Sequence, residues 1–198
     1  MREGLGNALA ERLEVRTLLS TTVTLTGTGS SNSFIADLDS GGTNVQFFVN
    51  ANPATGTPVQ TVPVAQLAGI VVVDSSGADT LTVSAPGATF ALDGSSASNL
   101  SVDIEQGTAV ISSAQSFTAL TVGTAGIFSM SGSSASLSVG SAGITVGGRF
   151  NHAAGSLDTP SLVIQSSGVF EDAGGTVAGQ AGGAVAITNY GQFDSQFS

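Results

Sequence analysis

Cysteine, tryptophan and lysine are absent from the 198 residues, and histidine and tyrosine occur once each. Without cysteine there is neither a disulfide framework nor a thiolate metal site. Without lysine there is no Walker-type phosphate loop, no Schiff-base chemistry and no kinase lysine. Charged residues make up only 9% of the chain, and 4 bases face 14 acids, for a formal net charge of −10. Arg2, Arg12 and Arg16 offset Glu3, Glu11 and Glu14, which leaves Arg149 as the only base in the rest of the chain. An acidic surface of this kind repels phosphate backbones and anionic membranes, so nucleic acid is not expected as a partner and divalent cations are the natural small ones. The longest apolar run, Leu67 to Val73, has seven residues. That is far too short to cross a bilayer.

What the sequence does have is a repeated frame. Leu120-Thr-Val-Gly-Thr-Ala-Gly126-Ile-Phe128, Leu137-Ser-Val-Gly-Ser-Ala-Gly143-Ile-Thr145 and Leu162-Val-Ile-Gln-Ser-Ser-Gly168-Val-Phe170 share one order: apolar, any, apolar, a small polar step, glycine, apolar. Leu81, Leu100 and Val185 open further copies, so units start at 81, 100, 120, 137, 162 and 185, with spacings of 19, 20, 17, 25 and 23. A second half-unit, Gly148-Arg-Phe150 to Leu157 and Gly168-Val-Phe170 to Val177, repeats at 20 residues. The frame alternates with period two and has no helical period.

Short alternating strands punctuated by glycine at this period predict an all-β fold, a parallel β-helix (β-solenoid) with coils of about 20 residues. A right-handed turn is the expected sense, although no residue encodes it. Each coil buries its apolar face against copies stacked about 4.8 Å above and below. Glycine is expected where the chain turns sharply and needs positive φ. The uneven spacings predict loops bulging at Asn151–Pro160 and Ala178–Ala184. Three regions follow: a leader over 1–20, irregular capping strands and first coils over 21–80, and the repeats over 81–198, which the end of the sequence within a frame suggests continue in a longer array. Within the cap, Ser40-Gly-Gly-Thr43 predicts a hairpin between Phe34–Leu38 and Val45–Val49. Asn52 to Pro63, with three prolines, reads as an unpaired loop. Ile70–Val73 reads as a buried strand.

The leader lacks the basic start and apolar core of a secretory signal. Yet Leu13-Glu14-Val15-Arg16-Thr17-Leu18-Leu19-Ser20 resembles the LEPR-XLL motif found near the N-terminus of large surface or secreted proteins of planctomycete-type bacteria, with Val15 where that family usually has proline. The match covers eight residues and stands just ahead of Ser/Thr/Gly-rich β sequence, as in that family. The resemblance implies an exported, extracellular or cell-surface protein and implies no chemistry. The step from Gly77 through Asp79 and Leu81 to Val83 resembles repeats in the same proteins and, more distantly, calcium-binding nonapeptide repeats.

Candidate chemistry is sparse. Asp79 is the calcium candidate, through the turn at Gly77, although one carboxylate falls short of the six to eight oxygens calcium takes and a solvated turn aspartate is the simpler expectation. No other cofactor is expected. Asp37 and Asp39 ahead of Gly41 lack the later ligands of an EF-hand and read as an ordinary turn. His152, the only histidine, reads as a turn or loop residue beside Phe150. Parallel β-helices that cut polysaccharides set acids in register on successive coils. Counted from the unit starts, Asp93 falls at +12, Asp103 at +3, Glu105 at +5, Glu171 at +9 and Asp172 at +10, which gives no column. Glu171 and Asp172 are neighbours and point to opposite faces if they lie on a strand. Aromatic residues mostly occupy core positions, with Tyr190 the exception. The expectation is therefore a non-catalytic structural or adhesive segment that meets an envelope or extracellular polysaccharide or protein surface, with a polysaccharide-binding or polysaccharide-degrading β-helix as the alternative.

Overall fold

The computed structural model describes residues 20–28, 31–73, 77–97 and 99–195, so Leu13 to Leu19 of the motif lie outside the described residues. Among them the strands are β1 (Thr21–Thr26), β2 (Ser33–Leu38), β3 (Asn44–Val49), β4 (Gln60–Pro63), β5 (Leu67–Val73), β6 (Asp79–Ser96), β7 (Leu100–Ile111), β8 (Ala114–Phe117) and β9 (Ala119–Met130). They continue as β10 (Ser136–Val139), β11 (Ile144–Val146), β12 (Arg149–His152), β13 (Ser156–Asp158), β14 (Ser161–Ile164), β15 (Val169–Asp172), β16 (Thr176–Ala178), β17 (Ala186–Asn189) and β18 (Gln192–Ser195). The chain winds as a parallel β-solenoid of about six turns with coils of about 22 residues.

From β7 to β16 each coil lays a strand on three faces. On the first, β2, the start of β6, β7 and β9, then β11, β14 and β17 stack in parallel. Their inward residues form one column, Phe34–Leu81–Val102–Leu120–Ile144–Leu162–Ile187. On the second face, β1, β5, the later parts of β6, β7 and β9, then β12, β15 and β18 stack in the same sense. There Phe128, Phe150, Phe170 and Phe193 stand ring over ring, with centroids 5.2, 5.1 and 5.2 Å apart. The half-unit repeat at Phe150 and Phe170 therefore reflects true register. Ala109 interrupts this ring column above Phe128, and Phe117 from the third face meets Phe128 edge-on at 6.5 Å.

The third face, β8, β10, β13 and β16, changes the frame read from sequence. Leu137 does not repeat Leu120. It lies in β10, between Gln115 of β8 and Leu157 of β13, while Ile144 is the residue in register with Leu120. The first-face column thus advances 21, 18, 24, 18 and 25 residues from Leu81 to Ile187. The expected bulge at Asn151–Pro160 is likewise absent as such, since β12 ends in it and β13 lies within it. Of the stretch Ala178–Ala184, Ala178 still pairs with Asp158, and the chain leaves the ladder after it, with one short 3-10 turn over Gln180–Gly182.

Glycine also serves a purpose other than the expected one at one corner. Gly126, Gly148, Gly168 and Gly191 do not take positive φ. A Cβ at each would collide with a carbonyl of the coil before it, those of Ile104, Gly126, Val146 and Gly168 respectively. The corner between the first two faces is packed backbone on backbone, and only glycine fits.

At the N-terminal end, β2 and β3 form the expected antiparallel hairpin, Phe34 opposite Val49 and Leu38 opposite Val45. The turn is held by Asp39, whose carboxylate accepts bonds from the Thr43 and Asn44 amides and from Asn44 Nδ2 at 2.7 Å. The proline-rich loop is shorter than expected, because Gln60–Pro63 pairs with β3 as β4. Val45 and Phe47 of β3 and Val62 of β4 are buried and join the core. The expected strand at Ile70–Val73 is the C-terminal part of β5.

Candidate functional site

The inward-facing polar residues of the second face gather in its last three coils. Along the inward column the chain reads Val23, Ile70, Leu92, Ile111, Met130, and then His152, Asp172 and Ser195. His152 is fully buried and Asp172 nearly so, and Nδ1 of the one lies 3.0 Å from a carboxylate oxygen of the other. His152 is therefore a strand residue pointing into the solenoid and not a loop residue, because alternation after Phe150 places Asn151 outward and His152 inward. Its Nε2 has no hydrogen-bond partner and abuts Gly175, where a Cβ would stand 2.9 Å from it. The Ser195 hydroxyl, next in register, is also without a partner.

The outward residues of the same strands form a second row. Asn151, Glu171 and Asp194 are in register on β12, β15 and β18, and Arg149 reaches from β12 to Glu171 at 2.6 Å. Glu171 and Asp172 do face opposite ways, the first in an exposed ion pair and the second in the core. The expectation that no acids share an offset is corrected here. Asp194 lies at +9 from 185, as Glu171 lies at +9 from 162, and β15 and β18 set the two side by side. The signal was in the sequence, because Asp194 was, with Asp158, one of two acids of the repeats left out of the count.

Asp79 is not solvated. It is 1% exposed, and one carboxylate oxygen accepts from the Asn32 amide at 2.7 Å and from Asn32 Nδ2 at 3.1 Å. Asn32 in turn accepts from Asn50 Nδ2 and Thr28 Oγ1. Asp79 thus ties the coil start to the segment before β2. Its second oxygen has no hydrogen-bond partner. Among the described residues no three His, Cys, Asp or Glu side chains stand close enough to hold a metal.

Elsewhere, Asp37, Asp39, Gln46 and Asn52 help line an open depression of about 510 Å³ beside the hairpin. Asp39 lies below the usual carboxylate range, chiefly through the Asn44 side-chain bond and then the Thr43 and Asn44 amides, so it is committed to the turn. Tyr190 is 72% exposed at the corner between β17 and β18. Among the described residues no helix is long and apolar enough to cross a membrane, which says nothing of a β-barrel.

The fold and this site define a class, a parallel β-solenoid in which one inward column of the second face turns from apolar to polar in its last coils. Compared with protein-family models, curated proteins and solved structures, the chain matches none of them.

Proposed function

We propose that this chain is a non-catalytic structural or adhesive stretch of an exported bacterial cell-surface protein, one part of a longer β-solenoid array that meets an envelope or extracellular polysaccharide or protein surface. The observation that carries the reading is the division of labour between the two sides of each strand. Inward columns are apolar through most of the solenoid, while the outward row of the first face is rich in hydroxyls, with Thr82, Thr121, Thr145 and Thr188 in register around Asp103 and Val163. The histidine and Asp172, which an acid–base mechanism would use, are turned inward. The LEPR-XLL-like residues Leu13, Glu14, Arg16, Leu18 and Leu19 support the surface location.

A second reading has its own support. Arg149, Glu171 and Asp194 stand outward on adjacent strands, and Tyr190 is exposed at the corner that leads into β18. Neighbouring strands lie about 4.8 Å apart, a spacing that lets two carboxylates flank one glycosidic bond. This favours a polysaccharide-binding or polysaccharide-degrading surface.

One experiment separates the readings. The purified chain is incubated with soluble and insoluble polysaccharides, with and without calcium, and both retention and new sugar ends are scored. No new ends is the expected result. Release of new ends that Glu171→Gln or Asp194→Asn abolishes overturns the non-catalytic reading. Retention without release that falls in Tyr190→Ala makes the chain a glycan-binding surface, and neither retention nor release leaves a structural coil.

A further inference from the structure

We propose that Asp93–Gly94 is a latent site of self-modification, where aspartate converts to isoaspartate, and that Gln115 of the next coil holds this site shut. The inference does not depend on the functional reading above.

It starts from one residue out of pattern. The inward column of the third face runs Gln115, Leu137, Leu157, Val177, so β8 puts a carboxamide where every later coil has an aliphatic side chain. Gln115 is 4% exposed, and an amide buried that deeply needs partners. Its side-chain bonds converge on one corner. Oε1 accepts from the Gly94 amide at 2.7 Å, and Nε2 donates to Asp93 Oδ1 at 3.3 Å and to Ser113 Oγ at 3.0 Å.

Asp93–Gly94 is the only Asp-Gly step in the chain, and there is no Asn-Gly step. Such a step is chemically weak, because glycine has no side chain to keep its own nitrogen away from the aspartate Cγ. The fold nevertheless favours both residues. A Cβ at Gly94 would stand 2.8 Å from Leu100 Cδ2 and 3.0 Å from Phe117 Cε1. Asp93 Oδ1 accepts from the Ser95 amide at 2.9 Å, at the entry to a turn that the Ala97 amide closes on the Gly94 carbonyl. Packing selects the glycine, and the turn selects a short acceptor before it.

The reaction needs no reagent but water. The Gly94 nitrogen attacks Cγ of the protonated Asp93 carboxyl, and the N–H proton and the carboxyl hydroxyl leave together as water, which closes a cyclic imide. Water then adds at the main-chain carbonyl of the imide and breaks its bond to the nitrogen, so the chain runs on through Cγ as isoaspartate. To attack, the nitrogen must turn toward Cγ, which breaks its bond to Gln115. A carboxamide oxygen is too weak a base to take the proton, so Gln115 holds the nitrogen without activating it. The Asp93 carboxyl is also kept below the usual range, first by the Ser95 side-chain and backbone bonds and then by Gln115, which leaves less of the protonated form that reacts. Isoaspartate adds a main-chain carbon to β6 between the pairs Ile70–Leu92 and Val73–Ser96, so the modification throws this coil out of register.

The test ages the folded full chain in warm, mildly acid buffer and scores isoaspartate at position 93. Two readouts serve: methyl transfer from S-adenosylmethionine by an isoaspartyl methyltransferase, and loss of aspartate-specific protease cleavage before Asp93 once the aged chain is denatured. The wild type should isomerise at least about tenfold more slowly than the same chain unfolded in guanidinium chloride, and Gln115→Met should remove most of that difference, since it deletes two hydrogen bonds. Ser113 is exposed, and Ser113→Ala removes only the bond that steadies Gln115, so it should speed the reaction about two- to threefold. Circular dichroism and thermal melts establish that each variant is native at the ageing temperature. Equal rates in the folded and unfolded wild type overturn the proposal, as does a native Gln115→Met that ages like the wild type. If Gln115→Met loses the native spectrum, Ser113→Ala decides, and an unchanged rate there overturns the proposal. Asp93→Ser must abolish the signal, and a signal that survives it also overturns the assignment.

Discussion

His152 Nδ1 and the Asp172 carboxylate hydrogen-bond one another inside a column that is otherwise aliphatic as far as Met130. Removing one partner leaves the other buried and alone, at a cost of about 3–5 kcal/mol, whereas replacing both with apolar residues of similar volume is close to neutral. For a chain of this length His152→Met alone should lower Tm by on the order of 10 °C. The double variant His152→Met, Asp172→Leu should return near wild type. Thermal melts of the four-member cycle check this, and additive losses would show that the pair is not a unit. A contrasting acid is Asp103, outward between Thr82 and Thr121, with a buried carboxylate oxygen that has no partner. Burial raises its carboxyl above the usual range. A raised folded-state value means that ionisation costs stability at neutral pH, and that this cost disappears below the carboxylate range. Asp103→Asn should therefore raise Tm at pH 7 by about 1–3 °C and give no advantage at strongly acid pH, as melts across pH will show. Asp93 works in the other direction. The Ser95 side-chain and backbone bonds, and then Gln115, hold it below the usual range, so its contribution is present at neutral pH and lost as pH falls through its lowered value.

At the scale of the strand, stability comes from the stacked columns. Val139 and Val146 are fully buried in β10 and β11, on different faces of the same coil. An aspartate at either site puts a charge where no base is near, and burying an unpaired charge costs far more than the native margin of about 5–15 kcal/mol allows. Val139→Asp and Val146→Asp should each abolish the cooperative melt, while Arg149→Gln should shift Tm by no more than about 2 °C, because exposed ion pairs contribute about 0–1 kcal/mol. Equal tolerance of both kinds of change would contradict the register. Alternation was legible in the sequence because a period of two marks which residues face inward, whichever face they lie on. Which face, and which neighbour, was not. Leu100 and Val102 are both buried, and a slip of two residues keeps the inward set inward, so nothing in the pattern says that Val102 is the residue beside Leu81. The third face stayed hidden for the same reason, since Leu137-Ser-Val-Gly reads like Leu120-Thr-Val-Gly although the two lie in different sheets. The hairpin at Ser40–Thr43 and the phenylalanine repeat were readable because turn residues and rings mark position and not only sidedness. The corner glycines were legible as punctuation, but close approach of one coil to the next depends on stacking that no single repeat contains.

For the whole molecule the balance of charge outweighs any one contact. The net charge is −10 and the isoelectric point about 4.1. Among the described residues the exposed Arg149–Glu171 contact is an ion pair, and His152 and Asp172 share a buried hydrogen bond. Added salt therefore has little exposed attraction to screen and much repulsion, and self-repulsion of a chain far from neutrality destabilises its compact state. Raising sodium chloride from about 0.01 M to about 0.5 M, where the Debye length falls from about 30 Å to below 10 Å, should raise Tm by roughly 2–4 °C, the equivalent of about 1 kcal/mol. A fall in Tm would mean that attractive pairs outweigh the repulsion. The same scan tests calcium. Calcium chloride matched to sodium chloride in ionic strength adds nothing further if calcium only screens. A rise that saturates at low concentration, and that Asp79→Asn removes while Asp194→Asn does not, would assign a bound ion to the buried carboxylate at the start of β6, because a ligand held only by the folded chain stabilises in proportion to the logarithm of its concentration over Kd.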